Sequence, residues 1–329
     1  MTRPHPRRTT RALTSIAIIS ALLMGCSSEG GPPPTTTERS TTTNAPVPQL
    51  IDPPRLVDAG TEPRRTLRMQ LAEGDEAFVE VVTDLGVDQV VDGRLQRLDT
   101  PPISQRIASR VRSVGPEGAV VDFEIEEVTI EANGTGLTDD EAIALQADLS
   151  RLDGVRGTTT IDDLGRVTAT TFTATDDLDA SAQALLDSFA PQLPSIGPAL
   201  PTEPVGVGAS WQSTSTLDVG TGASLSTTTT TTITVTAIDG SLVSYTSTIE
   251  VDTLAQPIEL GDPDPGATTR LTSSEVTGTA DGSFALDGLA FTLDSTSTGT
   301  QTLEVTDAAG VRELTQELRI TTRSEPATR

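Results

Sequence analysis

From about Arg64 onward, apolar and polar residues alternate with the period of two that a half-buried β-strand requires. In Ala119-Val120-Val121-Asp122-Phe123-Glu124-Ile125-Glu126 the odd positions are apolar and the even positions turn acidic, so one face goes inward and the other to water. The same alternation begins at Phe78-Val79-Glu80-Val81-Val82 and runs through Ile233 to Ile238 and Leu242 to Ile249. Thr is the commonest polar partner because its β-branch suits a pleated strand, so Thr227 to Thr232 reads as an exposed-face strand and not as an array of nucleophiles. Turn dipeptides punctuate the pattern at Gly115-Pro116-Glu117-Gly118, Asp163-Leu164-Gly165, Asp239-Gly240, Asp281-Gly282 and Asp287-Gly288.

Two segments switch to helical spacing. Thr138-Asp139-Asp140-Glu141 forms a capping box, with Thr138 and Glu141 as reciprocal partners, and opens a helix carrying Ile143, Leu145, Leu149 and Leu152. The second runs from Asp177 to about Leu193 with Leu178, Leu185, Leu186, Phe189 and Leu193 on one stripe, and Pro194, Pro198, Pro201 and Pro204 end it. Both stripes are expected to lie on a sheet.

The strand pattern occurs twice. Ile107 to Ile130 and Thr230 to Thr253 are each a strand, a Gly turn and a long alternating strand ending in acids. Val155 to Phe172 and Val276 to Ser297 are each a Gly-led strand, an Asp-containing turn and a strand, which sets Gly157 beside Gly278. The openings Glu73-Gly74-Asp75 and Val207-Gly208-Ala209 also match. Neither half has enough strands for a sandwich of its own, so one shared sheet is the economical solution. The expected fold is α+β and mostly antiparallel β: two pseudo-repeated halves forming a large curved sheet or open half-barrel with about two covering helices. The first β half spans 60–175 with its helix near 139–152, a connecting helix and Pro-rich link occupy 176–199, the second β half spans 200–323, and 324–329 is a tail.

Ahead of the strands, Arg3, Arg7, Arg8 and Arg11 precede an apolar run from Ala12 to Leu23, the layout of a signal peptide and too short to anchor as a span. The run closes on Leu23-Met24-Gly25-Cys26, which resembles the lipobox of bacterial lipoproteins. That resemblance implies cleavage after residue 25, diacylation of the Cys26 sulfur and stable attachment to the outer side of the cell membrane. Residues 26–55 read as the lipidated Cys followed by a disordered tether, whose Ser-, Thr-, Pro- and Gly-rich part, 27–50, reaches roughly 70 Å if extended like polyproline.

Composition then narrows the chemistry. All 22 basic residues are Arg, against 47 acids, and the single His and single Cys are His5 and Cys26. Removing residues 1–25 leaves 18 Arg against 47 acids, a charge of −29, with no His and with the one Cys consumed by lipid. Ser-His-Asp and Cys-His catalysis, His or Cys zinc sites, Schiff-base Lys and internal disulfides are thereby removed. Nucleic-acid binding is disfavoured because it needs cations against phosphate. Asp139-Asp140, Asp162-Asp163 and Asp262-Pro263-Asp264 match no calcium loop and read as caps and turns. Asn133-Gly134-Thr135 has the form of a glycosylation acceptor and reads as a turn. No cofactor, no metal and no catalytic residue is expected, and a protein partner is not readable.

Pro204-Val205-Gly206-Val207-Gly208-Ala209-Ser210-Trp211 resembles the Pro-Val-x-x-Gly-x-x-Trp phrase that opens the second half of a family of bacterial secreted and lipid-anchored β proteins of unknown function. The likeness covers most of 60–322, and no activity comes with it. In plan the chain also resembles envelope lipoproteins of the lipoprotein-carrier type, open half-barrels that hold acyl chains between sheet and helices, an analogy of architecture only. Two main readings follow: a non-enzymatic lipoprotein with a cavity for a lipid or other hydrophobic ligand, or a structural or protein-interaction lipoprotein with a closed core. In the first, Trp211, Leu178, Leu185 and Phe189 line the cavity; in the second, Trp211 is a core plug. Paired carboxylates leave a third, enzymatic reading formally open, though six Phe, one Trp and one Tyr make a poor platform for sugars.

Overall fold

The computed structural model describes residues 42–44, 49–91, 94–132, 135–173, 197–219, 225–258, 268–307 and 310–328. These form β1 (Thr42–Asn44), β2 (Gln49–Asp58), β3 (Glu76–Val91), β4 (Arg94–Asp99), β5 (Ile103–Gly115), β6 (Gly118–Ile130), helix α1 (Asp139–Leu149), β7 (Arg156–Ile161), β8 (Val167–Thr173), β9 (Ser210–Val219), β10 (Leu225–Asp239), β11 (Leu242–Thr253), β12 (Gln256–Ile258), β13 (Thr268–Ala285), β14 (Phe291–Asp307) and β15 (Gly310–Pro326). All fifteen strands belong to one sheet in the order β1-β8-β7-β6-β5-β3-β15-β14-β13-β11-β10-β9-β2, with β4 continuing β5 along β3 and β12 continuing β11 along β13. Every ladder is antiparallel.

The sheet is large, curved and open. Its edge strands β1 and β2 do not pair with each other, so it is not closed into a barrel. Both come from one stretch of chain, and only five Cα–Cα steps, at most about 19 Å, separate Asn44 on one edge from Gln49 on the other. The N-terminal segment therefore ties the two edges together. β1 lies inside the stretch read from sequence as tether and β2 begins in it, and the last strand likewise runs on through Pro326 into the stretch read as tail. In both places the ladder partner supplies the order that local composition does not: Asp52 pairs with Thr214, and Ser324 with Val81.

The two halves are the same meander. β3, β5, β6, β7 and β8 step outward to one edge, and β9, β10, β11, β13 and β14 step in from the other; β15 then closes on β3. The entry turns superpose in chemistry as well as position. Gly74 donates to the carbonyl of Val111 while Val111 donates to Asp75, and Gly208 donates to Val235 while Val235 donates to Ala209. Both turns need positive φ, +92° at Gly74 and +84° at Gly208, which only Gly adopts without strain. Deeper in, the Phe123 ring lies over Gly157 and the Tyr245 ring over Gly282, each across a ladder rung. An aromatic thus covers the backbone that a strand glycine exposes in each half. The counterpart of Gly157 is therefore Gly282, four residues beyond the Gly278 that sequence alignment picks. Asp281-Gly282, read as a turn, sits within β13, near its C-terminal end, for the same reason: the glycine is there to receive a ring.

Helix α1 begins on the expected box: the Glu141 amide donates to Thr138 Oγ1 at 3.3 Å, and the Glu141 carboxylate accepts from the Thr138 amide at 2.8 Å. That backbone bond, with the Thr138 hydroxyl, holds the exposed Glu141 carboxyl below its ordinary pKa. The helix docks at its C-terminal end, where Gln146 accepts from the Ile130 amide at 3.0 Å and donates to the Val128 carbonyl at 2.8 Å. Leu149 and Leu152 are buried with Ile103, Phe123, Ile125, Val128, Val155 and Phe172. Ile143, expected on the buried stripe, is 68% exposed, since the helix is held at its other end, by Gln146 and the buried Leu149. The second expected helix, 177–193, lies outside the described residues.

Candidate ligand-binding face

The Pro-Val-x-x-Gly-x-x-Trp phrase forms the floor of the molecule. Trp211 opens β9 with 0% exposure, and its indole N–H donates to the Ala199 carbonyl at 2.8 Å. Around it pack Leu67, Leu164, Leu200, Val205, Ala209, Ile233 and Phe284, drawn from both halves and the link between them. Gly206 is fixed by crowding, since any Cβ there would collide with the Thr61 carbonyl, and Val205 makes reciprocal backbone bonds with Arg65 at 2.9 Å. Trp211 does not line either of the two clefts described below. Leu178, Leu185 and Phe189 lie outside the described residues, as do Cys26, Asp262, Asp264, Asn133 and Gly134.

Above the floor, the inner face of β3, β15, β14, β13 and β11 is arranged in rows set by the register. Farthest out is an amide row, Gln96, Gln89, Gln316, Gln301 and Ser274, one residue per strand from β4 to β13. Next come two aliphatic rows, Val87-Leu318-Gly299-Val276-Val251 and Leu85-Ile320-Ser297-Gly278-Ile249. A hydroxyl row follows, Thr83-Thr322-Ser295-Ala280-Ser247. Six residues of β3 separate Gln89 from Thr83, roughly 20 Å of strand.

The amide row is a relay. Gln316 Nε2 donates to Gln89 Oε1 and Gln89 Nε2 to Gln96 Oε1, both at 3.2 Å, while Gln301 Nε2 donates to Ser274 Oγ at 3.2 Å. Gln89 and Gln316 are 2% and 1% exposed. Gln301 Oε1 and Gln316 Oε1 have no hydrogen-bond partner, nor do Thr83 Oγ1 and Ser324 Oγ at the other end of the band. No Asp, Glu or Arg stands in any of these rows. The charges of the same strands alternate onto the outer face: Asp84 and Asp88 in β3, Glu317 and Arg319 in β15, Asp294 in β14, Glu275 and Asp281 in β13.

The outer face is polar and largely ion-paired. A cleft of about 380 Å³ over β3, β5, β6 and β7 is lined by Glu76, Arg110, Arg112, Asp122, Glu124 and Arg156 among others. There Arg110 meets Glu76 at 3.3 Å, Arg112 Nε donates to Asp122 at 2.9 Å and Arg156 Nε to Glu124 at 3.0 Å. The Glu124 hydrogen bond and charge raise the Arg156 pKa, and the fork that Arg97 places on Asp88 lowers that carboxyl's. A second cleft, about 420 Å³, lies behind the aliphatic band and is lined by Asp88, Glu275, Glu317 and Arg319 with Thr277, Thr298 and Thr300. Exposed pairs of this kind fix register and keep the outer face wet more than they stabilise.

The other singled-out acids take local roles. Asp162 accepts from the Leu164 and Arg166 amides and from Arg166 Nε at 2.7 Å, an Asx turn closed by its own cation. Asp163 pairs with Arg68 at 3.2 Å, and Asp139 and Asp140 sit in the first turn of α1. Among the described residues no three His, Cys, Asp or Glu side chains gather as a metal cage, and no helix is long and apolar enough to cross a membrane. The amide row went unnoticed in the sequence, yet it leaves a signal there: Gln89, Gln105, Gln301 and Gln316 all stand on the inward parity of their strands, where alternation calls for aliphatics.

No family model and no curated protein matches the chain. Among solved structures it is similar to Pseudomonas aeruginosa OccK8 (OprE), at 8% identity over 78% of this chain and 100% of the other with a TM-score of 0.21. It is similar also to a loop-deleted form of the Vibrio cholerae outer membrane protein OmpT (8% identity, 77% and 100% covered, TM-score 0.21). A third is the β domain of the Bordetella autotransporter BrkA (9% identity, 76% and 100% covered, TM-score 0.17). Likeness at these scores carries no argument about function.

Proposed function

We propose that this chain is an extracytoplasmic lipoprotein, acylated at Cys26 and held at the cell membrane, which carries out no catalysis and binds a lipid or other hydrophobic molecule on the inner face of its sheet. The observation that carries the reading is the pair of uncharged aliphatic rows. In a chain with 47 acids and 22 Arg, two adjacent rows across five long strands hold no charge, and Leu85, Val87 and Leu318 in them are buried as an apolar cluster, the lining that an apolar body requires. Leu178, Leu185 and Phe189, which lie outside the described residues, are the further lining residues of this reading.

The anchor rests on Leu23-Met24-Gly25-Cys26 and on the absence of any other Cys. Cys26→Ser in whole cells is expected to abolish incorporation of labelled fatty acid and to release the protein from the membrane fraction; retention of the label would refute acylation at this sulfur. For the ligand, titration of the mature chain with a fluorescent acyl probe is expected to saturate near one probe per chain. Non-saturable, detergent-like uptake would refute the proposal.

The second reading, a structural or protein-interaction lipoprotein with a closed core, is favoured by the filled floor around Trp211. It calls for a specific envelope protein recovered by crosslinking in cells together with no probe uptake.

A further inference from the structure

We infer that the molecule held on this face is an uncharged amphiphile whose headgroup donates hydrogen bonds to the amide row. This rests on the hydrophobic-ligand reading above and names the chemical class of its ligand.

The relay leaves a defined deficit. One side-chain N–H of each of Gln89, Gln301 and Gln316 is committed, to Gln96, Ser274 and Gln89 in turn. Two carboxamide oxygens, on Gln301 and Gln316, remain without a donor on directly opposed residues of β14 and β15. Buried acceptors side by side repel each other and attract a donor, and a hydroxyl placed between them serves both. These two oxygens call for O–H or N–H donors.

Charge excludes the common alternatives. The rows contain no Arg to receive a phosphate or carboxylate. Directly behind them the outer face sets Asp88, Glu275 and Glu317 against Arg319 and the Arg97 that pairs with Asp88, a balance that supplies no attraction for an anion. A cationic headgroup would suit the acceptors, but it would sit against aliphatic rows with no counter-charge on its own side, which burial makes costly. A hydroxyl-rich neutral group, as in a glycosylated diacylglycerol, satisfies both oxygens, and its acyl chains extend over the Val87-Leu318 and Leu85-Ile320 rows toward the hydroxyl row.

The test is competition against one fluorescent acyl probe, using the mature chain from Cys26 to Arg329 without acylation. Two competitors have identical palmitoyl chains: glucosyl dipalmitoylglycerol and dipalmitoylphosphatidylglycerol. The neutral lipid is expected to bind on the order of tenfold more tightly, the discrimination available to a site built around unmatched acceptors. Gln301→Leu with Gln316→Leu should bring the two within about threefold by weakening the neutral lipid alone. Gln301→Leu by itself, at a half-buried position, should give an intermediate preference and guards against loss of fold in the double variant, which Trp211 emission reports. Equal or tighter binding of the phosphatidylglycerol, or a preference untouched by both variants, overturns the headgroup inference and leaves the hydrophobic-ligand reading standing. Binding of neither lipid overturns both.

Discussion

Replacing Gly157 by Ala tests the aromatic-over-glycine rung that the two halves share. A Cβ at Gly157 would stand 2.6 Å from the Thr171 carbonyl oxygen and inside contact distance of Phe123 Cζ; at Gly282 it would stand 2.7 Å from Tyr245 Cζ and 2.8 Å from the Thr292 carbonyl. Phe123 is buried and packs edge-on to Phe172, with ring centroids 5.5 Å apart, so a shift of its ring disturbs that pair. Overpacking a core by one methyl costs about 1–3 kcal/mol, and a fixed strand backbone as the obstacle puts this case at the upper end. Relief of glycine's conformational freedom returns roughly 0.5–1 kcal/mol. The net expectation is a loss of about 2 kcal/mol for each variant, a fall of roughly 4 °C in Tm for a domain of this size. Urea unfolding followed by the single Trp is the assay. Gly288→Ala is the control, since its nearest obstacle is Ala285 Cβ at 3.8 Å, and it should stay within about 0.5 kcal/mol of the parent. In a Phe123→Leu background, Gly157→Ala should cost about 1 kcal/mol less, the residue being the carbonyl clash. If Gly157→Ala and Gly282→Ala prove neutral, or no worse than Gly288→Ala, the rung is not what places those glycines.

Burial raises the pKa of Tyr245, the only Tyr, from its ordinary 10.0 to about 12. Because the folded value lies above the unfolded one, its contribution is complete below pH 10 and is lost as pH rises through 12, about 3 kcal/mol in all. Urea midpoints across that window should show the loss, tyrosinate absorbance should report the shifted titration without interference from another Tyr, and Tyr245→Phe should remove the slope. Trp211→Phe strips the donor from the Ala199 carbonyl and is expected to cost about 1–3 kcal/mol in the same unfolding assay, with no change in probe uptake if Trp211 belongs to the floor alone. Thr138→Ala removes the helix cap and should cost about 1 kcal/mol, with loss of amide-exchange protection confined to the first turn of α1.

Strand alternation, the capping box and the doubling of the hairpins are local signals, and each is realised in the sheet. What the sequence hid depends on partners distant along the chain. Asp281-Gly282 has turn chemistry, but Tyr245 on β11 decides that the glycine stays in strand, and only the ladder reveals it. Ile143 fits the helical stripe, yet the Gln146 hook and the burial of Leu149 and Leu152 fix which end of the helix docks. The Gln residues of the amide row look like ordinary breaks in alternation until the register of β3, β15 and β14 places them opposite one another. Of the expected site, Trp211 is legible as a buried aromatic at a strand start, whereas its role as floor follows from Leu67, Leu164 and Leu200, which come from three separate stretches.

The most direct test of ligand holding is native mass spectrometry of the mature protein released from envelopes under mild conditions. The expected result is a mass above that of the acylated polypeptide by one discrete lipid, removed by organic extraction and restored on incubation with envelope lipid. A single clean polypeptide mass, unchanged after that incubation, would contradict it.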